Sequence, residues 1–445
     1  MKPFGLIVIV AAIAGPLWWF APLAAKHDPG AMFSQYLGST ALIAMAISQL
    51  MATRVAGLES IFGGLDRIYV LHKWLGIWAI ATILLHDTID ADLNGLGPET
   101  LLNDLAETLG EISLYGLLIL VVISIATFVP YSLWRWTHKF MGLFFALSAF
   151  HYLFILKPFE NLDPLGLYVG GFCVLGLICY LYTLIPFRLL QGRYRYNVTD
   201  IERVGDTVAV TAAPEGRGLH HRAGQFAFAS INEPSMGEIH PFTISSANGA
   251  DNSIRFSIKA LGDHTRSFSN GLTEGTQILV SAPYGHFACG RSGGDEIWIA
   301  GGIGITPFAA SAAALRSGKI NPKGKIDLFY SVRNKEDAIH LEELMETARM
   351  VANFTVHLNV SSADGRLTAK KLADQAGAAL SDVHAYYCGP EAMRNSLAAG
   401  LAAQGMKPSR FHYEEFEIRS GIGLRRFAGW LWGLFGRRFM ASNSA

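Results

Sequence analysis

Long apolar stretches fill the first 190 residues of the chain. Six of them reach the roughly 20 residues that a helix needs to cross a bilayer, and they lie at residues 4–25, 33–53, 68–89, 112–130, 137–156 and 165–187. Beyond residue 190 the apolar runs become short and are separated by turn-forming residues, as in the strands of a water-soluble domain. The pattern therefore predicts a six-helix transmembrane bundle followed by soluble domains.

Composition agrees with this division. Hydrophobic residues make up 51% of the 445 residues and charged residues 16%, and only 20 charged residues lie before residue 188. The net charge is zero and does not indicate any partner. No nucleic-acid partner is expected. None of the four cysteines forms a CxxC pair, so neither a zinc site nor a disulfide framework is expected. The apolar N-terminus is interpreted as a retained first helix, because further spans follow it.

Basic residues predict the orientation in the membrane. The loops on one side carry Arg54, Arg67, Lys73, Arg135, Lys139, Arg188, Arg193 and Arg195, whereas those on the other side carry Lys26 and Lys157. The positive-inside rule puts the first side, both termini and the soluble domains in the cytoplasm. We therefore expect a multi-pass protein of the cell inner (plasma) membrane. Its loop from Asp87 to Glu111 would face outward, with seven acidic residues and no Lys or Arg.

Four histidines lie in the third and fifth apolar stretches. His72 and His86 are 14 residues apart, and His138 and His151 are 13 apart. Each pair is separated by about 20 Å along its helix, and 14 residues is close to four turns. Both helices run outward, so His72 and His138 share the inner level and His86 and His151 the outer level. Imidazole is a good axial ligand of haem iron. The two levels of histidines therefore predict two stacked haems. The alternative is that these histidines form hydrogen bonds between helices.

The residues after 190 predict a small antiparallel β-barrel. Strand-like runs lie at Tyr194–Thr199, Val208–Ala212, Gln225–Ala229, Ser253–Ala260 and Gln277–Ser281. Within them lies the run His240-Pro241-Phe242-Thr243-Ile244-Ser245-Ser246, and Gly262-Asp263-His264-Thr265 opens a helical segment. A glycine and a hydroxyl at the start of a helix form a natural site for a pyrophosphate.

From Asp295 onward strands alternate with helices, which predicts a doubly wound parallel sheet. The strand Glu296–Ala300 leads into Gly301-Gly302-Ile303-Gly304-Ile305-Thr306-Pro307, where a pyrophosphate could approach the backbone at a helix N-terminus. Further strands are expected at Ile326–Ser331, Phe354–Val360 and Ala385–Cys388. The ligand of such a sheet binds at the carboxyl ends of its strands.

These motifs, in this order, resemble the ferric reductase and NADPH oxidase superfamily, with FAD and NAD(P) domains of the ferredoxin reductase type. The resemblance implies that His240, Pro241, Phe242, Thr243 and Ser246 line FAD, with Lys259, Gly262 and Thr265 nearby. It implies that NAD(P) contacts Gly301, Gly302, Gly304, Thr306, Pro307, Cys388, Gly389 and Pro390. Ser331 and Arg333 would bind the 2′-phosphate of NADPH, which favours NADPH over NADH. Cys388 beside the nicotinamide and Phe416 over the flavin ring would serve catalysis.

The expected domains are residues 1–190 (six-span haem-binding domain), 191–290 (FAD-binding barrel), 291–418 (NAD(P)-binding domain) and 419–445 (C-terminal tail). Residues 421–440 of the tail mix four arginines with aromatic and aliphatic residues. This composition suits a basic amphipathic helix on the inner membrane surface. Packing of the tail against the soluble domains is the alternative.

The resemblance implies that electrons pass from cytosolic NADPH through FAD and two b-type haems to a small-molecule acceptor outside the cell. Ferric iron and dioxygen are both acceptors in this superfamily. Oxidases carry a histidine four residues after the outer ligand of the third span, where this chain has Asp90. Carboxylates suit a hard ferric ion, which slightly favours a ferric reductase over an oxidase that produces superoxide. A membrane-anchored flavoreductase without haem remains an alternative. A third possibility is a non-enzymatic haem-binding sensor. The flavin and nicotinamide motifs argue against it, because a sensor needs no hydride donor. Oligomeric state is left open.

Overall fold

The computed structural model describes most of the chain. The residues outside it are 1, 56, 90–92, 94, 95, 99, 127, 191, 193, 233–238, 261, 262, 377–379 and 414–445, together with the side chains of 131, 132, 187, 188, 263, 264, 267 and 376. Phe416, Gly262, Asp90 and the C-terminal tail therefore lie outside the described residues. The described part forms two compact units that divide between Leu184 and Ile185.

Helices make up the first unit. They are α1 (Pro3–Ala14), α2 (Leu17–Ala24), α3 (Pro29–Ala52), α4 (Leu58–Phe62), α5 (Leu65–Thr88), α6 (Leu101–Ile125), α7 (Tyr131–His138), α8 (Met141–Phe154) and α9 (Pro164–Leu184). Helix α3 is central, since 67% of its apolar window is buried against 28–33% in the other long helices. It packs against α5, α8 and α9, and α6 packs against α8. The exposed apolar faces of the outer helices are those that a bilayer would cover.

Five segments of the described residues are long and apolar enough to cross a membrane: Pro3–Ala24, Pro29–Ala52, Leu65–Thr88, Leu101–Ile125 and Pro164–Leu184. They correspond to five of the six spans expected from the sequence. The remaining one, residues 137–156, is divided between α7 and α8. At this junction the N–H groups of Lys139 and Phe140 donate to carbonyls three residues earlier. Such bonds tighten the backbone into a 3₁₀-like turn, which ends one helix and starts the next.

The tight turn also affects how His138 and His151 are aligned around the helix axis. At 3.6 residues per turn, 13 residues leave two side chains about 140° apart around a straight α-helix, which is more than helix tilt can absorb. Lys139 and Phe140 have ψ angles of −26° and −12°, close to 3₁₀ values. A 3₁₀ turn rotates the chain further per residue, which reduces this offset.

Glycines allow the helices of this unit to approach closely. A Cβ on Gly142 would lie 2.0 Å from the ring of Tyr180, and one on Gly116 would lie 2.1 Å from the ring of Phe144. Each aromatic side chain thus fills the notch of a glycine on the neighbouring helix. Packing of large rings into small residues is a common way for helices to associate in membranes.

The second unit begins with α10 (Phe187–Leu190) and an antiparallel sheet. Its strands are β1 (Tyr194–Val204), β2 (Thr207–Pro214), β3 (Phe226–Ile231), β4 (His240–Thr243), β5 (Ile254–Lys259) and β6 (Gln277–Val280), in the order β4-β3-β6-β1-β2-β5. An isolated bridge between Ile244 and Phe256 connects the two edge strands. Helix α11 (Asp263–Gly271) follows β5. All five strands expected from the sequence are confirmed.

A five-stranded parallel sheet completes this unit. Its strands are β7 (Glu296–Gly301), β8 (Ile326–Val332), β9 (Phe354–Val360), β10 (His384–Cys388) and β11 (Phe411–Tyr413), in the order β11-β10-β7-β8-β9. The helices are α12 (Thr306–Arg316), α13 (Leu341–Met350), α14 (Ser361–Asp364), α15 (Ala369–Ala376) and α16 (Glu391–Ala403). One apolar cluster joins Ala209 and Phe287 of the first half of the unit to Trp298 and Phe308 of the second.

Candidate functional site

The imidazole rings of His72 and His138 lie edge to face within the helical unit, at an interplanar angle of 61°. Their ring centroids are 6.1 Å apart. His72 lies near the start of α5 and His138 is the last residue of α7. The outer histidines, His86 and His151, lie in the last turns of α5 and α8 and are near each other. The structure therefore brings the four histidines together as the two pairs expected from the sequence.

The histidines of α5 are held by two serines of α3. The Nδ1 atom of His72 lies 2.8 Å from Ser48 Oγ and 3.0 Å from the Ser48 carbonyl oxygen. The Nδ1 atom of His86 lies 2.9 Å from both Ser34 Oγ and the Ser34 carbonyl oxygen. Ser34 and Ser48 are 14 residues apart, like the histidines. This matching serine pair was missed from the sequence, although its spacing could have revealed it.

The histidines of α7 and α8 are held by α6. The Nδ1 atom of His151 lies 2.9 Å from the carbonyl oxygen of Ala106. The Nδ1 atom of His138 lies 3.3 Å from Ser124 Oγ, and this hydroxyl donates its own proton to the carbonyl of Leu120. A carbonyl can only accept, so each Nδ1 must carry a proton. The same assignment for all four rings leaves Nε2 with a lone pair.

Two glycines make room for the outer histidines. A Cβ on Gly110 would lie 2.6 Å from Nδ1 of His151. A Cβ on Gly38 would lie 3.2 Å from Nε2 of His86. Both glycines are in helix interiors, where glycine is otherwise unfavourable. They permit the rings to lie close to the backbones of α3 and α6.

This geometry fits axial ligands of a haem. Two metal–nitrogen bonds of about 2 Å each, plus roughly 1 Å from each ligand atom to its ring centre, add to about 6 Å between centroids. The separation of 6.1 Å between His72 and His138 matches that sum. Donation of Nδ1–H to a fixed acceptor is the usual support for a metal-binding imidazole. Among the described residues no cluster of three or more ligating side chains is present, and a haem needs only two.

The first flavin motif forms strand β4. Pro241 and His240 are half-buried, whereas Phe242 and Thr243 are buried. The ring of Phe242 packs against Phe268, with centroids 5.1 Å apart, so it belongs to the barrel core. Ser246 follows the strand, and its hydroxyl accepts the backbone N–H of Arg255 at 3.0 Å. In the second motif Thr265 is half-buried on α11, while Gly262 is not described.

The glycine-rich turn after β7 is closely packed against the end of β10. Residues Gly302–Ile305 form a 3₁₀ turn, Gly302 has a φ of 56°, and Thr306 and Pro307 begin α12. A Cβ on Gly304 would lie 2.2 Å from the carbonyl oxygen of Cys388. A Cβ on Gly389 would lie 3.0 Å from the backbone of Gly301. These contacts bring both expected nucleotide motifs to one edge of the parallel sheet.

A small cleft opens beside this turn. Its walls include Lys259 and Asp206 from the antiparallel half of the unit, and Gly302, Arg333 and Asp337 from the parallel half. Arg333 is exposed, and Ser331 is half-buried with its Oγ 3.4 Å from Asn359 Nδ2. Two cations and the glycine turn thus line one space, which suits a phosphate-bearing nucleotide.

Cys388 and Pro390 lie at the carboxyl end of β10. The side chain of Cys388 is 3% exposed. Pro390 caps the start of α16, and its carbonyl accepts the hydroxyl of Tyr387 at 2.8 Å. The second residue expected to serve catalysis, Phe416, lies beyond β11 and outside the described residues.

Three family models match the chain. The ferric reductase like transmembrane component matches residues 37–149, an FAD-binding domain matches residues 194–288, and the oxidoreductase NAD-binding domain matches residues 298–398. Together they follow the order of the units described above. An NAD(P)H-dependent oxidoreductase is the class of enzyme to which these domains belong.

Curated relatives agree with this class. The reductase subunit of carnitine monooxygenase from Escherichia coli (strain K12) is 33% identical over 153 residues, which is 34% of this chain and 43% of the relative. The toluate 1,2-dioxygenase electron transfer component of Pseudomonas putida is 26% identical over 236 residues, or 51% of this chain and 68% of the relative. The chain thus spans about half to two thirds of these proteins.

A solved structure with a similar shape is the flavohem-like FAD/NAD binding domain of nitric oxide dioxygenase from Vibrio cholerae O1 biovar El Tor. It is 20% identical, with a TM-score of 0.44, over 50% of this chain and 97% of the other. The family matches carry the assignment. The chain combines a region that matches a ferric reductase-like transmembrane component with FAD- and NAD-binding regions, and this combination matches the ferric reductase-like superfamily.

Proposed function

We propose that this protein transfers electrons from cytosolic NADPH to an acceptor on the outer side of the inner (plasma) membrane, by way of FAD and two bis-histidine b-type haems. The observation that carries the proposal is the pair His72 and His138, 6.1 Å apart, with both Nδ1 atoms donating to fixed oxygens. When bound, FAD takes the two electrons of a hydride and each haem iron carries one, so the set converts two-electron into one-electron transfer.

The helical unit would contribute the histidines that bind the haems and the serines that orient these histidines. His72 and His138 would hold the inner haem, and His86 and His151 the outer one. Ser48 and Ser34 fix the rings of α5 through Nδ1, which orients Nε2 and raises its basicity as a ligand. The surrounding apolar side chains would exclude water from the path and so favour electron over proton transfer.

The nucleotide residues support NADPH as the donor, with NADH possible. Arg333 and Lys259 line one cleft with Gly302, and a guanidinium can bind a 2′-phosphate through two parallel hydrogen bonds. Asp337 on the same cleft would favour the free 2′-hydroxyl of NADH instead. Cys388 would lie beside the nicotinamide, and Phe416 would cover the flavin ring.

For the acceptor we favour ferric iron, presented as a chelate. Asp87 follows the outer ligand His86 directly, and Asp90 occupies the position of the histidine found in oxidases. Hard carboxylate oxygens suit ferric iron. Reduction of dioxygen to superoxide is the second candidate, because acidic residues can be present in an outward loop without binding a ferric ion. An anchored flavoreductase that serves a cytosolic partner is the third.

The absorption spectrum of the purified full-length protein tests the haems. We expect a sharp band on reduction, and replacement of His86 or His151 by Leu should remove about half of the haem. A spectrum without haem bands would leave the anchored flavoreductase as the better reading.

Turnover in reconstituted vesicles tests the acceptor. Ferric citrate outside the vesicle and dioxygen would be supplied separately, with ferrous product and oxygen consumption as readouts. Rapid oxygen consumption with negligible ferrous product would exclude the ferric preference and favour superoxide formation.

A further inference from the structure

One face of strand β5 contacts the start of helix α13 at two points. The two terminal nitrogens of Arg255 donate to the two carboxylate oxygens of Glu343, at 2.5 and 2.8 Å. Two residues further along the strand, Ser257 Oγ lies 2.7 Å from His340 Nε2. Alternate residues of a strand point to the same face, so both contacts leave β5 on one side. The flavin-binding half therefore holds the NAD-binding half at two places.

The charged contact is well suited to fix a geometry. Only 18% of the Arg255 side chain and 37% of the Glu343 side chain are exposed. Burial opposes ionisation of Glu343, yet the nearby His340 ring, whose Nδ1 lies 3.6 Å away, and the two hydrogen bonds from Arg255 hold its pKa below the usual range. The carboxylate is therefore charged at neutral pH, and a bidentate ion pair of this kind is directional as well as strong.

The same residues are continuous with the flavin motif. Arg255 also donates to the carbonyl oxygen of Ser245 at 3.3 Å, and its backbone N–H donates to Ser246 Oγ at 3.0 Å. The hydroxyls of Ser245 and Ser257 lie 3.0 Å apart. A movement of Arg255 would therefore disturb the segment expected to line FAD.

The other end of the contact leads to the nucleotide cleft. The chain passes from Arg333 and Asp337, which line the cleft, to His340 and then into α13. His340 has a φ of 63°, a left-handed conformation that a non-glycine residue adopts only under constraint. Its hydrogen bond to Ser257 supplies that constraint. One chain segment thus joins the cleft to the contact.

We propose that Arg255, Glu343, His340 and Ser257 form an interdomain clamp that positions the nucleotide cleft relative to the flavin site. These are positioning residues, and the inference rests on the proposed NAD(P)H-driven flavin reduction. These two polar contacts add to the apolar cluster that joins the halves, and they further restrict rotation between the halves. Loss of the charged point should widen the range of cleft positions and lower the rate of flavin reduction, since small misplacements of reacting groups cost large factors in rate.

The test compares two ion pairs that share helix α13. Arg255 binds Glu343 across the two halves, whereas Arg316 of α12 binds Glu346 within the NAD-binding half. Flavin reduction at saturating NADPH would be followed by stopped-flow absorption in the full-length protein. Arg255→Met and Glu343→Gln should slow it about tenfold or more, with unchanged NADPH affinity and FAD content, whereas Arg316→Met should change it less than twofold.

Two further measurements separate positioning from folding. The charge-reversed double variant Arg255→Glu with Glu343→Arg should recover part of the rate. Hydrogen–deuterium exchange of residues 254–259 and 340–350 should rise in Arg255→Met and remain unchanged in Arg316→Met, without any need for turnover. Unchanged exchange, a rate within twofold of wild type, or a loss of rate that only follows loss of FAD would overturn the clamp. If hydrogen–deuterium exchange behaves as expected but NADPH and NADH do not reduce the flavin of the wild-type protein, the proposed function is contradicted instead.

Discussion

Ser48 accepts the same proton of His72 twice, through its hydroxyl and through its carbonyl oxygen, at 2.8 and 3.0 Å. Ser34 repeats this arrangement with His86. In contrast, Ser124 Oγ at 3.3 Å is the one acceptor for Nδ1 of His138 within the described residues. The two histidines of the inner pair therefore differ in how firmly they are held.

This difference predicts unequal effects of two serine substitutions. Ser124→Ala removes the acceptor of His138, whereas Ser48→Ala leaves the carbonyl of residue 48 for His72. We expect Ser124→Ala to shift the midpoint potential of the inner haem or to lower its occupancy severalfold, since partners of this kind affect metal affinity by factors of about 10–100. Ser48→Ala should have a smaller effect. Spectroelectrochemical titration of both variants measures the midpoint potential of the inner haem. Equal shifts in the two variants would argue against the assigned hydrogen bonds.

A glycine substitution should remove the outer haem alone. In Gly110→Ala the new Cβ would lie 2.6 Å from Nδ1 of His151, so the ring must turn away from Ala106. We expect haem content to fall by about half while the inner pair is retained. Gly170→Ala is the control, because a Cβ there meets no atom within 4 Å. Haem quantification of both variants provides the measurement, and full occupancy in Gly110→Ala would contradict the proposed ligand.

The glycine turn predicts a graded effect on nucleotide binding. Gly304→Ala would place a Cβ 2.2 Å from the carbonyl oxygen of Cys388, so the turn must separate from β10. Gly302→Ala meets no atom but forces alanine to a φ of 56°, at a cost of about 1 kcal/mol. We expect KM for NADPH to rise much more in Gly304→Ala. Steady-state kinetics with a dye that accepts electrons from the flavin measures KM for NADPH in both variants. A larger rise in Gly302→Ala than in Gly304→Ala would contradict this prediction.

Arg333 should determine the preference for NADPH. Arg333→Ala should raise KM for NADPH about tenfold, through loss of a charge-assisted contact of roughly 1.5–3 kcal/mol at most. KM for NADH should remain unchanged, because NADH has no 2′-phosphate. Lys335→Ala is the control, an exposed cation two residues away that does not line the cleft. Equal effects on both nucleotides would place Arg333 outside the 2′-phosphate site.

His221 predicts a pH dependence of the flavin-binding half. Burial lowers the pKa of His221 from 6.5, against the opposing hydrogen bond from Nε2 to the carbonyl of Ser246 at 3.0 Å. The unfolded state then binds more protons than the folded state below pH 6.5. Stability is therefore fully present above this pH and declines as the pH falls through it.

The release of flavin on heating, followed by its fluorescence, measures this effect in the full-length protein. We expect the release temperature to fall between pH 7 and 5.5, and His221→Gln to reduce the pH dependence. Gln can keep a hydrogen bond to the Ser246 carbonyl but does not titrate. His220→Gln controls for general charge effects, since His220 is exposed. The same slope in His221→Gln and wild type would assign the dependence to other groups.

The sequence by itself determined the order of the parts and their chemistry. Apolar length marked the membrane helices because only a continuous apolar helix satisfies both backbone and bilayer. Histidine spacing indicated two levels because helical rise is constant. The runs at His240 and Gly301 indicated FAD and NAD(P) through their resemblance to those of the superfamily, and a glycine-rich start of a helix suits a pyrophosphate.

Tertiary structure decided what depends on partners distant in the chain. Ser34, Ser48 and Ser124 hold the histidines from other helices, and no local pattern around the histidines specifies them. The tight turn at Lys139 changed the alignment of His138 with His151, because backbone hydrogen bonding overrode the regular helical period. Arg255 and Glu343 are 88 residues apart, and only the folding of two domains onto one another makes them a pair.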